Sequence, residues 1–314
     1  MGVFITGGHG HIGSYAAKYL AEQGKRVIIY DTNPVIPDCL AALQPHITFI
    51  RGDVMNFPHL ADVCRRYRGE IDGIIHTVGI MGELVLEAPY ANVQLNITGT
   101  HNVLEAARQF QIPKVVYTST GAVYGAVPGV VAEDDYPVAP ADLYGATKAS
   151  CEFLGLQYGN NFGIDFRIGR VFFCYGPGKL PSTFIRLYRL VFGALEGLDN
   201  LTLDSGADQR LDFVYIADAG RGTALLYGAD NPPHRIYNIA TGVSHSLREV
   251  ADLACAHSSF KGVSVEMGPG KLMQRCDALN IDRARSELSF TPEYTLEAGV
   301  AAYAQWIREK LGRG

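Results

Sequence analysis

Short apolar runs alternate with stretches of helical period along the first 170 residues. Val3-Phe4-Ile5-Thr6 reads as a buried strand and runs into Gly7-Gly8-His9-Gly10-His11-Ile12-Gly13. A helix follows from Ser14 to Gln23, closed by Gly24, and a second strand covers Val27 to Tyr30, ending at Asp31. The pattern repeats as strand Thr48–Ile50 leading to Asp53, helix Pro58–Tyr67, strand Gly73–His76 and helix Val93–Phe110. Strand Lys114–Ser119, a helix from Leu143 to Tyr158 and strand Asp165–Arg170 complete it. Such alternation predicts an α/β fold, a doubly wound parallel sheet of Rossmann type with helices on both faces.

Beyond Arg170 the texture changes. Pro177, Gly178 and Pro181 break the chain before an amphipathic helix near Thr183–Phe192 and a strand Leu201–Asp204. Strand Tyr237–Ile239 and helix Leu247–His257 return to the sheet pattern, and a turn at Pro292 precedes a closing helix from Leu296. The expected division is a dinucleotide-binding domain of residues 1–170 and 213–258. A smaller, discontinuous substrate lobe takes residues 171–212 and 259–314. Substrates of open α/β sheets bind at the carboxyl ends of the strands, under such a lobe.

The first βαβ unit carries its own chemistry. Glycines at 7, 10 and 13 allow a tight turn and close approach of backbone to ligand, and the following helix N-terminus offers N–H groups to a pyrophosphate. Asp31, at the tip of the second strand, is placed to accept hydrogen bonds from a ribose 2′-OH. It would repel a 2′-phosphate, and Thr32 and Asn33 add no positive charge, so NAD is expected over NADP. His9 and His11 lack metal-ligand neighbours and are read as solvent-facing loop residues. Glu133, Asp134 and Asp135 in the loop 128–140 have no further acid or His spaced to complete a metal site and are read as a solvated turn. Tyr144 and Lys148 stand four residues apart, on one helix face, where an ammonium would lower the pKa of a phenol. A phenol so tuned exchanges protons with an alcohol.

Composition narrows the class. The net charge of -5, without any run of Lys or Arg, argues against nucleic acid or an anionic membrane as partner. Six scattered cysteines show no Cys-x-x-Cys spacing and read as buried free thiols. The sequence opens into a strand without a leader pattern, and no apolar run approaches membrane length, so a cytoplasmic enzyme is expected.

Several motifs together resemble the extended short-chain dehydrogenases/reductases, the NAD-dependent epimerase/dehydratase family. Thr6 to Gly13 resembles its TGxxGxxG fingerprint, and Ser119-Thr120-Gly121-Ala122-Val123-Tyr124-Gly125 its S-[ST]-x-x-V-Y-G strand end. Tyr144 and Lys148 fall on its YxxxK pair. Asn96, Gly99 and Thr100 match its N-x-x-G-T helix, and Tyr175-Gly176-Pro177 and Asp212-Phe213-Val214-Tyr215 match two further stretches. The resemblance implies NAD as cofactor, held by Gly7, Gly10, His11, Ile12, Gly13, Asp31, Asp53 at the adenine ring, Val54, Tyr144 and Lys148. It implies Tyr144 as acid/base, Lys148 as the residue that tunes it and holds the nicotinamide ribose, and Thr120 as the hydroxyl that orients substrate. It also implies a homodimer through helices near Ala91–Phe110 and Leu143–Tyr158, with Val93, Leu95, Val103, Leu104, Phe153, Leu154, Leu156 and Tyr158 as surplus apolar positions.

Departures from the family pattern bear on substrate. Dehydratases of the family carry Asp-Glu after the Thr; Gly121 and Ala122 stand here, and neither serves as acid or base. Nucleotide-sugar members have Asn where Phe173 stands and Arg where Leu211 stands, with Arg210 one place early, on the opposite face of an extended segment. Arg275 and Asp277 match late nucleotide contacts at shortened spacing, and Lys179 or Arg210 could replace the missing donors. The expected function is NAD-dependent oxidation of a secondary alcohol of a sugar, sugar acid or other polyhydroxylated small molecule. The alternatives are a nucleotide-sugar (UDP-sugar) 4-epimerase, in which the ketone turns over in the site, and a non-catalytic NAD-binding protein.

Overall fold

The computed structural model describes residues 1–81, 84–135, 138–183 and 185–312, with Leu84 by its backbone only. Its strands are β1 (Gly2–Thr6), β2 (Arg26–Asp31), β3 (Ile47–Arg51), β4 (Ile71–His76), β5 (Lys114–Thr120), β6 (Val130–Val131) and β7 (Asp165–Val171). They continue as β8 (Leu201–Leu203), β9 (Arg210–Leu211), β10 (Ile236–Ile239), β11 (His245–Ser246), β12 (Val265–Met267) and β13 (Ala278–Leu279). Seven of them form one parallel sheet in the order β3-β2-β1-β4-β5-β7-β10. The order reverses beside β1, so the carboxyl ends of β1 and β4 flank the crevice where a dinucleotide binds in this topology.

The helices are α1 (His11–Glu22), α2 (Phe57–Arg66), α3 (Leu84–Glu87), α4 (Pro89–Val93), α5 (Gly99–Phe110) and α6 (Leu143–Phe162). After the last sheet crossover come α7 (Arg186–Phe192), α8 (Ile216–Gly228), α9 (Leu247–His257), α10 (Asp282–Leu288) and α11 (Leu296–Lys310). One face of the sheet is covered by α1, α8 and α10, around Ala17, Leu20, Ala224 and Phe290; the other by α2, α5 and α6, around Leu60, Leu104, Cys151 and Phe166. Expelling these apolar side chains from water stabilises the domain by about 25 cal/mol per Å² buried. A third cluster, with Tyr188, Phe192, Val250, Val300 and Tyr303, lies under the lobe.

Three local differences from the sequence expectation have physical causes. The helix over Val93–Phe110 contains a π turn, Gln94–Thr98, between α4 and α5; such turns often occur at functional sites. The helix expected near Thr183–Phe192 starts at Arg186, after a 3₁₀ turn at Pro181–Thr183; Phe184 lies outside the described residues. Helix α9 does not return to the sheet. Its buried residues Leu247, Val250, Ala251 and Ala254 pack against α7 and α11.

Candidate active site

The site is assembled where β5 ends and α6 begins. Thr120 closes β5 in extended conformation and accepts the Ala122 N–H at 3.2 Å, capping the 3₁₀ turn Gly121–Tyr124. A Cβ on Gly121 would stand 2.4 Å from the Phe172 ring, so the acidic side chain of a dehydratase has no room there. Asp142 caps α6 by accepting the Gly145 N–H at 2.7 Å, which sets Tyr144 in the first turn. The helix lies close on β7, because a Cβ on Gly155 would meet the Phe166 ring at 2.0 Å.

In this position the Thr120 hydroxyl is near enough to the Tyr144 phenol to act on its ionisation. Burial pushes that phenol well above its ordinary value, and the Thr120 hydroxyl opposes the rise. Lys148 is not among the groups that shift Tyr144, and its ammonium rests 4.2 Å over the Tyr117 ring. Lys148 is itself buried, and desolvation brings its ammonium down to about 8. Beneath it His76 is bracketed by Thr6 Oγ1 at 2.7 Å and Thr100 Oγ1 at 3.0 Å; burial, then the Lys148 charge, takes the imidazole down to about 3. It is neutral at any working pH.

The π turn connects the site to its rim. Asn96 Oδ1 accepts the Ile80 N–H at 2.9 Å, and its Nδ2 donates to Ile80 O and to Thr147 Oγ1 at 3.0 Å. Thr147 in turn donates to the Tyr144 carbonyl. Asn96 therefore ties the loop after β4 to the first turn of α6.

A cavity of about 660 Å³ spans from the glycine-rich turn to the lobe. Gly10, His11, Ile12, Thr120, Tyr144 and Lys148 all line it. Gly7 and Gly13 lie behind that wall: Gly7 has φ +76, and a Cβ on Gly13 would stand 2.3 Å from Gly7 O. Helix α1 has no side-chain cap and no acid in its first turn, a fit for a diphosphate. Asp31 accepts backbone N–H groups from His9 at 3.0 Å and Asn33 at 2.9 Å, one on each oxygen, with lone pairs left for ribose hydroxyls. Asp53 lines a separate hollow of about 340 Å³ with Thr32, Gly52 and Asn56, while Val54 is buried and its carbonyl accepts from Asn102. The residues present fit NAD along this whole path.

The histidines of the turn are not solvent-facing. His9 stacks on Phe49 with ring centroids 4.5 Å apart, and its Nδ1 pairs with Asn33 O. His11 Nε2 pairs with Gly176 O and Pro177 O at 3.2 and 3.1 Å, bridging the turn to the lobe. Burial, then the nearby Lys179 charge, takes His11 down to about 3. Glu133 is likewise buried, accepting the Asn238 N–H at 2.8 Å with Arg283 3.8 Å away, so that part of the acidic loop is structural rather than solvated.

On the substrate side Phe173 faces the cavity with φ +34, Leu211 is buried, and Arg210 turns to Ser244 and Glu249. Lys179 and Arg275 line the cavity, and Arg275 is held by Asp142. Sequence reasoning missed Asp142, although an Asp one residue before an expected helix is a capping signal. It missed Met81, Val85 and Leu86 from the segment after β4, which carries no motif.

Known proteins resemble this chain over nearly its whole length. The UDP-glucuronate 4-epimerase of Thermodesulfobacterium geofontis is 28% identical over 98% of this chain and 96% of that protein. The crystal structure of UDP-glucuronic acid 4-epimerase from Bacillus cereus, in complex with UDP-glucuronic acid and NAD, superposes with TM-score 0.83 at 26% identity, covering 99% of this chain and all of the other. UDP-glucose 4-epimerase from Thermotoga maritima shares the fold, with TM-score 0.87 at 22% identity over 99% of this chain and all of that one. With the family profile matching residues 3–240, the chain belongs to the NAD dependent epimerase/dehydratase family and is an NAD-dependent enzyme.

Proposed function

We propose that this enzyme removes a hydride from a secondary alcohol of a sugar, sugar acid or similar polyhydroxylated molecule, with Thr120, Tyr144 and Lys148 as its working residues. The observation that carries the reading is the meeting of Thr120, Tyr144 and Lys148 on the wall of one cavity that also reaches the glycine-rich turn. NAD, when bound, supplies the hydride acceptor and a positive charge beside the site. Tyr144, as phenolate, takes the alcohol proton onto its phenolic oxygen, Thr120 holds the alcohol oxygen in line, and Lys148 holds the ribose side of the cofactor. Gly7, Gly10, His11, Ile12, Gly13, Asp31, Asp53 and Val54 are the residues we assign to cofactor binding.

A second reading, a UDP-sugar 4-epimerase, is favoured by the substrates of the relatives and by two cations, Lys179 and Arg275, on the lobe side of the cavity. Against it stand Phe173, Leu211 and the outward Arg210, which supply no donor to a diphosphate. Incubation with NAD and a panel of free sugars, sugar acids and UDP-sugars decides. Stoichiometric NADH with a free sugar or sugar acid supports the first reading. Interconversion of a UDP-sugar without net NADH establishes the second, and turnover of neither class leaves a binding protein.

The packing suggests a revised division of the chain. We assign residues 1–170, 213–240 and α10 to the cofactor domain, since α10 packs on β10 and α8, and we move α9 to the lobe with α7 and α11. We further propose a homodimer. All six cysteines are free thiols, which supports a reducing compartment such as the cytoplasm.

A further inference from the structure

Below the reactive side chains, three elements meet on one buried carboxylate. Glu152 follows Lys148 by one helical turn and Tyr144 by two, so the three share a face of α6. It is 2% exposed. Its Oε1 accepts the Ser119 hydroxyl at 2.5 Å and Arg170 Nε at 3.1 Å, and its Oε2 accepts Arg170 Nη2 at 2.7 Å. Ser119 and Arg170 are direct partners across β5 and β7, and Ser119 is the residue before Thr120. The remaining surfaces of Arg170 are also taken: its guanidinium lies 4.7 Å over the Tyr124 ring, and Nη1 donates to Glu133 O at 3.4 Å.

We infer that Glu152 is a positioning residue of this active site, whose carboxylate clamps α6 to the end of β5 and whose negative charge sustains the Lys148 ammonium. The inference rests on the proposed roles of Thr120, Tyr144 and Lys148.

The clamp acts on geometry first. Thr120 comes from β5 and Tyr144 from α6, and their contact needs the two elements held in fixed register. Ser119 and Glu152 make that link one residue from Thr120 and two turns from Tyr144. The charge acts second. Lys148 is surrounded by Tyr117 from β5, the neutral His76 from β4, and Cys151 and Glu152 from its own helix. Cys151 is occupied as a donor to Asn96 O at 3.1 Å. Against desolvation the charged form is favoured first by Cys151 and then by Glu152, which stands one turn from Lys148 on the same helix and is the one carboxylate, among the described residues, that bears on the ammonium. Around Glu152 itself the charged or titratable neighbours are Arg170, Tyr124, Tyr117 and Lys148. Its pairing with Arg170 at 2.7 Å offsets part of the cost of burying a carboxylate.

The experiment follows the Lys148 ammonium directly, so it needs neither cofactor nor substrate. Lysine side chains are isotope-labelled, the Lys148 signal is assigned by its loss in Lys148→Met, and its midpoint is measured in wild type, Glu152→Gln and Ser119→Ala. Gln keeps the shape and still accepts from Ser119, but carries no charge. The expected result is a Lys148 midpoint lower by ~1 pH unit in Glu152→Gln, and unchanged in Ser119→Ala. On an identified substrate, Ser119→Ala should lower kcat severalfold by loosening the clamp, with little change in KM. If Glu152→Gln does not fold, Glu152→Gln with Arg170→Met removes the buried pair together and should give the same downward midpoint. An unmoved Lys148 midpoint in the folded variant overturns the electrostatic part, and wild-type kcat in Ser119→Ala overturns the clamp. Failure of the catalytic reading shows elsewhere, as wild-type turnover in Tyr144→Phe.

Discussion

Burial acts on Tyr144 and Lys148 in the same sense, toward the neutral form of each. The consequences differ. A neutral phenol is the proton donor of the reverse reaction and must give up its own proton before it can accept one; the Thr120 hydroxyl opposes the rise that burial imposes. Tyr144→Phe removes the one atom that moves the proton and keeps the ring in place. Turnover on an identified substrate should fall by about 10²–10⁴-fold, while NAD affinity, measured by calorimetry, stays near wild type. For Lys148 the sign of the stability effect is fixed by the shift. Its ammonium titrates at about 8 in the folded chain, against about 10.4 in an unfolded one. Between those values the unfolded chain binds more protons, so stability rises with pH across the interval and is lost as pH falls through the folded value. Lys148→Met should therefore be more stable than wild type at pH 7, by about 3 kcal/mol at most, and the gap should close above about pH 10.5. Melting curves of both proteins over pH check this; a less stable Lys148→Met at pH 7 refutes the buried-ammonium account.

At the scale of elements, what was legible followed hydrophobic period and glycine. The runs at β1, β2, β4, β5 and β7 are buried along their length, and the turn into α1 carries glycines where a Cβ would strike backbone. Helix α6 was placed by its motif rather than its period, because its buried face carries Thr147, Lys148 and Glu152 beside small residues. That polarity conceals the clamp on Ser119 and Arg170, although Tyr144, Lys148 and Glu152 recur every fourth residue. His9 and His11 looked solvated because loop polarity says nothing about Phe49 or the Gly176 and Pro177 carbonyls, which arrive from distant parts of the chain. The π turn was invisible for a similar reason: Asn96 is recruited by Ile80 and Thr147, and neither lies within its own helix. Two outcomes belong here. At the tip of β2, Asp31 should make NAD bind more tightly than NADP, read by titration calorimetry; equal affinity removes Asp31 from the ribose. At the head of α6, Asp142→Ala deletes a cap worth about 1 kcal/mol and also releases Arg275, which Asp142 holds. Its melting temperature should drop and its substrate KM should change, whereas a cap without the Arg275 link would alter stability alone.

For the whole molecule, the open question is what covers the outer side of α6. Of the apolar positions that suggested a dimer, Val103 and Leu104 are buried against the sheet, so they contribute to the domain core. Leu95, Leu154, Leu156 and Tyr158 are half-buried. Phe153 is 58% exposed, and nearby α3 and α4 present Leu86 at 73% and Tyr90 at 79%. Helix α3 abuts both α4 and α6. An aromatic and aliphatic patch of this kind is the composition of an interface core, and a stable dimer needs about 800 Å² from each partner. The proposed dimer would use α6 of both copies. Phe153→Glu sets a charge on the exposed apolar side of α6 without touching Thr120, Tyr144 or Lys148. Sedimentation at micromolar concentration should show a dimer for wild type and a monomer for Phe153→Glu, with NAD affinity retained in both. A wild-type monomer would refute the assembly, and a Phe153→Glu dimer would move the interface to another face.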